Sequence, residues 1–180
     1  MARPGNTTGS GTRSSPAQAT KRGFISYAHE DHDMFVAFQP YMKAIERGFP
    51  WVEVKADPLI RPGKEWEQEI RAMIGQAEMF VLLVSPAFLA SDFIWDTELP
   101  EMRRRRQEVG GLLLPVVLKP CLWKVVCEAI QAVPRSGGKL KPIEEWDDPA
   151  RGFACAHEEI AAEIERHFQI PIRSFDWSAR

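Results

Sequence analysis

Acidic residues are absent from the first 22 positions, and so are valine, isoleucine, leucine and every aromatic. This stretch is dominated by Gly, Ser, Thr and Pro and carries Arg3, Arg13, Lys21 and Arg22. It has too little to bury against its ordering entropy, so residues 1–22 are expected to be a disordered tail. The apolar stretch of a secretory signal is missing as well. The tail holds +4 of a chain whose formal net charge is −2, which leaves −6 on the remainder. A folded part of that sign is not expected to bind nucleic acid directly, because phosphate contacts need basic surface. Cysteine is scarce, and Cys121, Cys127 and Cys155 show no paired spacing. That argues against a disulfide framework and a four-thiolate zinc site, and suits a reducing cytoplasm. No apolar run approaches the roughly 18 to 20 residues that a helix needs to cross a bilayer, so no membrane span is expected.

The hydrophobic pattern begins at Gly23. Phe24-Ile25-Ser26-Tyr27 reads as a short buried strand, followed by the polar turn Ala28-His29-Glu30-Asp31-His32-Asp33. Met34, Phe38, Met42 and Ile45 then recur at helical spacing, with Pro40 expected to kink or break the helix. Trp51-Val52-Glu53-Val54 reads as a second strand, and 55–64 as a loop bent by Pro58, Pro62 and Gly63. Trp66, Ile70, Met73 and Ile74 mark a second amphipathic helix. The run Phe80-Val81-Leu82-Leu83-Val84 is apolar throughout, which predicts a strand covered on both faces. Ser91 suits the N-cap of a third helix reaching Arg106, and Gly110-Gly111 stops it. Residues 112–118 form a fourth strand, 140–143 a weak fifth, and 150–168 a closing helix. Strands alternating with helices imply parallel crossovers, hence a doubly wound α/β sheet of about five parallel strands with helices on both faces. Ligands of such sheets sit outside the carboxyl ends of the strands, so the loops after Tyr27, Val54, Val84 and Leu118 form the functional rim.

Several chemistries are missing their signatures there. No glycine-rich loop follows the first strand, which disfavours a Rossmann dinucleotide site and a P-loop. No Gly-x-Ser-x-Gly elbow is present for an α/β hydrolase. A phosphate-accepting receiver domain would use acids such as Glu30 and Asp31, but Ser85 stands where its acceptor aspartate should end the third strand. The run His29-Glu30-Asp31-His32-Asp33 has ligand residue types without a compact zinc spacing, so it reads as an acidic helix entry and no metal is expected. Arg103 to Arg106 read as a solvated face complementing the end of a helix. On helical spacing Ser91, Trp95, Glu98 and Met102 share one face, with Ser91 setting that face at the rim. A carboxylate beside an indole suits a cationic or planar ligand, while Trp95 as core and Glu98 as surface acid remain the plainer alternatives.

Phe24-Ile25-Ser26-Tyr27 resembles the first box of a Toll/interleukin-1 receptor (TIR) domain. Asp57-Pro58-Leu59-Ile60-Arg61-Pro62-Gly63, followed by Trp66, resembles its second box and BB loop. Phe80 to Glu98, FVLLVSPAFLASDFIWDTE, is similar to the strand and helix bearing the glutamate of the NAD+-cleaving members. Leu114-Pro115-Val116-Val117 to Trp123, then Ala132-Val133-Pro134-Arg135, point to the bacterial branch. The resemblance implies a flavodoxin-like TIR domain over 23–170, an α/β fold with a five-stranded parallel sheet and helices on both faces, with 171–180 a C-terminal tail. It places Glu98 as the catalytic residue, and Tyr27, Ala28, His29, Arg61, Ser91 and Trp95 around the substrate. The commoner family spacing would put the acid at Thr97, and Ile94 replaces a cysteine. One extra residue turns the acid by about 100° on an α-helix, which makes Trp95, in place of Phe93, a candidate for its aromatic partner.

The implied reaction takes NAD+ as substrate and needs no cofactor. Nicotinamide leaves as a neutral base, so one carboxylate suffices to hold the ribose and stabilise the oxocarbenium-like charge. Hydrolysis to ADP-ribose and cyclisation to a cyclic ADP-ribose both remain open. The resemblance further implies bacterial defence or virulence signalling, a sensor on a separate protein or on a longer chain, and self-association through the BB loop. The rival reading is a non-catalytic TIR–TIR interaction module. In either case Arg61 is positioned to meet a phosphate or an acidic neighbour. Arg61→Ala is therefore expected to raise KM for NAD+ or to block assembly, measured by steady-state kinetics and light scattering, and unchanged values would place the side chain in solvent.

Overall fold

Six consecutive buried residues make β3 (Met79–Val84) the centre of the molecule. The structure is a computed structural model that describes residues 19–56, 64–127 and 130–173. Most of the tail expected at 1–22, and the last seven residues, lie outside the described residues. β3 lies between β1 (Lys21–Tyr27) and β4 (Leu112–Val117), and β2 (Val52–Ala56) pairs with the far side of β1, giving the order β2-β1-β3-β4. Every pairing in that sheet is parallel. β1 starts inside the segment read as tail, because Lys21 and Arg22 pair with Val52 and Glu53 and the Lys21 ammonium meets Glu78 at 2.6 Å.

The period of two along each strand sorts the core into two layers. Ile25, Tyr27, Val81, Leu83, Leu114 and Val116 face α1 (His32–Gly48) and α6 (Pro149–Phe168), the long helix that follows the short α5 (Lys124–Cys127). Phe24, Phe80, Leu82 and Val84 face α2 (Lys64–Gln76) and the helices beyond β3. Neither face of β3 meets water, in keeping with its lack of any polar residue, whereas edge strand β2 exposes Glu53 and Lys55. α1 runs without a break through Pro40, which lies on the exposed side of the helix, as does Val36, to whose carbonyl Pro40 has no N–H to donate.

The doubly wound α/β reading holds, with one correction to the strand count. The fifth position of the sheet is a single parallel bridge between Val116 and Val133, made by Val117 N–H to the Val133 carbonyl and Val133 N–H to the Pro115 carbonyl. Pro134 has no N–H with which to prolong the ladder. Leu140, read as the start of the weak fifth strand at 140–143, instead lies in β6 (Lys139–Leu140), which pairs with β5 (Arg135–Ser136) in a small antiparallel hairpin. Gly137 and Gly138 turn it, with φ of 58° and 80°. Ile143 falls in a following 3₁₀ turn.

The completely buried Phe80 anchors the second layer. Phe80→Ala is expected to lower the unfolding free energy by about 3 to 5 kcal/mol, read from urea titration, and a loss below about 1 kcal/mol would contradict a close-packed layer around β3.

Candidate active site

Ser26 occupies the pleat side of Phe24, facing the helices that follow β3, and pairs in register with Leu82. Beyond Tyr27 the chain stays extended at Ala28 and then tightens into a 3₁₀ turn, His29–Asp31. Beyond β3, Ser85 caps the short α3 (Pro86–Ala90) by accepting from Phe88 N–H at 3.0 Å. Ser91 then caps a second helical run, accepting from Ile94 N–H at 3.4 Å. That run ends in α4 (Leu99–Val109), closed by Gly110 at a φ of 64°.

Between Ser91 and α4 the winding changes. Residues Ile94–Glu98 form a π turn, closed by Leu99 N–H on the Ile94 carbonyl. On an ideal α-helix Glu98 would point about 140° away from Phe93. The wider i→i+5 turn absorbs the extra residue and brings Phe93, Ile94 and Glu98 to one cavity. Pro100 explains the position of the turn, because it has no N–H for the Asp96 carbonyl and its ring would clash there in an α-helix.

The cavity has a volume of about 220 Å³. Glu98 lies in its wall at only 1% exposure, and the fully buried Ser26 donates its hydroxyl to Glu98 Oε2. The expectation of an acid on the rim is thereby corrected to a buried, oriented carboxylate. Trp66 from α2 and Phe93 stack with ring centroids 4.3 Å apart at 35°, forming an aromatic wall. Tyr27, Ala28, His29 and Ser91 all line the same cavity. The Tyr27 ring stacks on Phe35 at 4.2 Å, so its place is fixed from the opposite layer.

Trp95 does not join them. It is 39% exposed, its indole N–H donates to the Leu89 carbonyl at 2.7 Å, and it lines a separate groove with α4. The spacing argument assumed α-helical winding through Glu98, and the π turn rotates the indole outward. Arg61 lies outside the described residues. Ser26, Trp66 and Phe93 were not picked out as site residues from spacing, and Pro100 was the overlooked sign of the π turn.

Ion pairs join the helix that carries Trp66 to the one that follows Glu98. Arg71 of α2 reaches Glu67 and Glu101, and Arg104 reaches Glu101, so α2 and α4 are linked through Glu101. The Arg104 hydrogen bond, aided by Arg71, holds the Glu101 carboxyl below its ordinary range. These pairs are largely exposed and contribute little to stability; of the arginine run they engage Arg104, which also meets Glu108. Among the described residues no group of three or more His, Cys, Asp or Glu could hold a metal ion. Burial pushes the Cys127 thiol up to about 12 and raises those of Cys121 and Cys155, so none is primed as a nucleophile. The arrangement therefore offers one oriented carboxylate beside a flat aromatic surface, suited to a planar group that carries or develops positive charge.

Among the described residues no helix is long and apolar enough to cross a membrane. The uncharacterized protein y4lF of Sinorhizobium fredii is 29% identical over 152 residues, an alignment covering 82% of this chain and 46% of that protein. The chain thus spans about half the length of this bacterial relative. The TIR domain family matches residues 24–151, which include both sides of the cavity and all four strands from Phe24 onward. The chain belongs to the TIR domain family.

Proposed function

We propose that this TIR domain cleaves the bond between nicotinamide and ribose in NAD+, with Glu98 as the catalytic residue. The observation that carries the reading is the buried Glu98 carboxylate, bonded to Ser26 within a cavity walled by Trp66 and Phe93. The nicotinamide ring is flat and cationic in the substrate and leaves neutral, so the reaction requires no acid to protonate it. Positive charge moves to the ribose as the bond breaks, and a carboxylate already desolvated and oriented stabilises that charge without reorganising. Water then gives ADP-ribose, or the substrate's own adenine gives a cyclic product.

The cavity is smaller than the roughly 300 to 1,000 Å³ usual for small-molecule sites, so a dinucleotide must extend beyond it. The exposed His29 lies along its edge, and the 55–64 segment, which carries Arg61, connects β2 to α2 in the sequence just ahead of Trp66. We assign the remaining surface to a second copy, brought in by self-association through that loop. Such a head-to-tail contact propagates unless its rotation closes. The setting would be bacterial defence or virulence signalling in the cytoplasm, under a sensor carried elsewhere. A second reading, a non-catalytic TIR–TIR interaction module, is favoured by the groove of about 550 Å³ beside α4, where Trp95 and Val125 are exposed.

Incubation of the full chain with NAD+ and measurement of released nicotinamide separates the two. Glu98→Gln keeps an acceptor for Ser26 and is expected to lower kcat by about 10² to 10³ or more, while Trp95→Phe, outside the cavity, retains the rate. Turnover unaffected by Glu98→Gln would remove Glu98 from the chemistry. Specific activity is also expected to climb with protein concentration from nanomolar to high micromolar, because each site is completed by a neighbour. A constant rate per molecule over that span would make the site self-sufficient.

A further inference from the structure

Asp31 is 1% exposed, yet it belongs to a polar turn at the surface entry of α1. A buried carboxylate is costly unless it is paired and hydrogen-bonded. Here both oxygens are engaged. Oδ1 meets the Lys119 ammonium at 2.7 Å, and Oδ2 accepts the hydroxyl of the fully buried Ser85. The three residues come from the loops that follow β1, β3 and β4. Leu118, just before Lys119, donates its N–H to the Val84 carbonyl, so Lys119 and Ser85 project from adjacent, hydrogen-bonded strand ends.

None of the three lines the cavity, but the turn they hold does. Asp31 N–H bonds the Ala28 carbonyl at 2.9 Å, closing a turn whose Ala28, His29 and Glu30 form one cavity wall. We propose that Asp31 and Lys119 are a positioning pair, which pins the β1–α1 turn to the other two loops and so fixes the wall against which the substrate binds. Apolar side chains of similar volume stabilise a fold about as well as a buried ion pair. What apolar side chains would lack is direction, since the two carboxylate oxygens fix the turn toward both β3 and β4. The Lys119 ammonium is held above its ordinary range, chiefly by the hydrogen bond to Asp31, with Glu144 adding to it.

The kinetic consequence rests on the NAD+-cleavage reading, whereas the anchoring does not, and the experiment has an arm for each. Asp31→Asn, Lys119→Met and Lys119→Arg are made in the full chain. Amide hydrogen exchange is followed without substrate, and NAD+ kinetics are measured alongside. Asp31→Asn and Lys119→Met are expected to speed exchange at residues 28–31 about tenfold, with residues 81–83 of β3 unchanged. The same variants are expected to raise KM for NAD+ about fivefold with kcat nearly constant, and Lys119→Arg to restore both. If Asp31→Asn is insoluble, Lys119→Met, altered at a side chain 32% exposed, carries both readouts. Unchanged exchange at 28–31, or equal loosening of the whole sheet, would overturn the proposal, and so would faster local exchange with KM unmoved. A wild-type chain that releases no nicotinamide would sink the activity reading alone, with the exchange arm still deciding the anchor.

Discussion

A carboxylate placed in a protein interior must find donors or lose its charge, and the site is organised around that demand at Glu98. Its partner Ser26 stands 72 positions earlier, near the carboxyl end of β1. The contact requires β1 and β3 to be neighbours, the chain after β3 to turn back over β1, and the helix bearing Glu98 to present the acid downward. Parallel pairing supplies the first two conditions, since every strand delivers its carboxyl end to the same edge. The third depends on the π turn at Ile94–Glu98. A strictly α-helical 94–98 would send Glu98 away from Phe93 and out of the cavity that both now line.

The two-layer core makes that placement reproducible. Trp66 is the first α2 side chain packed into the second layer, and Ile70 and Ile74 continue the same face one and two turns on. Phe24, Phe80 and Leu82 present the matching sheet surface. The aromatic wall is thus an extension of the core into the site, so its geometry is set by packing that α2 would make in any case. The opposite layer acts on the cavity through Tyr27, whose ring is held against Phe35.

Much of this was legible in the residues, for reasons that differ from element to element. β3 announced itself because a parallel central strand is apolar on both faces, and α6 because Phe153, Ile160 and Ile164 recur at helical spacing along its buried side. Glu98, Tyr27, Ala28, His29 and Ser91 were found through the family pattern, and all five reach the cavity. Trp95 was misplaced because i, i+4 and i+7 share a face only while the winding is α. The corrective signal was present in Pro100, four residues after Asp96. The fifth strand failed at Val133 because a strand needs successive N–H groups and Pro134 breaks the series, which local hydrophobicity does not register. Ser26 looked like one polar residue in an apolar strand, and only the fold shows which acid needs it. The Asp57–Gly63 loop, with Arg61, lies outside the described residues.

Two buried acids, Asp31 and Glu98, flank the same turn and are treated differently. Asp31 faces a full positive charge at 2.7 Å, and the pair is electrically near neutral. Glu98 Oε2 accepts a hydrogen bond from the Ser26 hydroxyl, a dipole that orients the carboxylate toward the cavity wall. A hydroxyl alone beside Asp31 would leave its buried charge without a counter-charge, a costly arrangement in a protein interior. The lysine therefore answers both demands that burial makes on Asp31: it supplies the opposite charge at 2.7 Å, and, on the proposal above, it fastens the turn that walls the cavity.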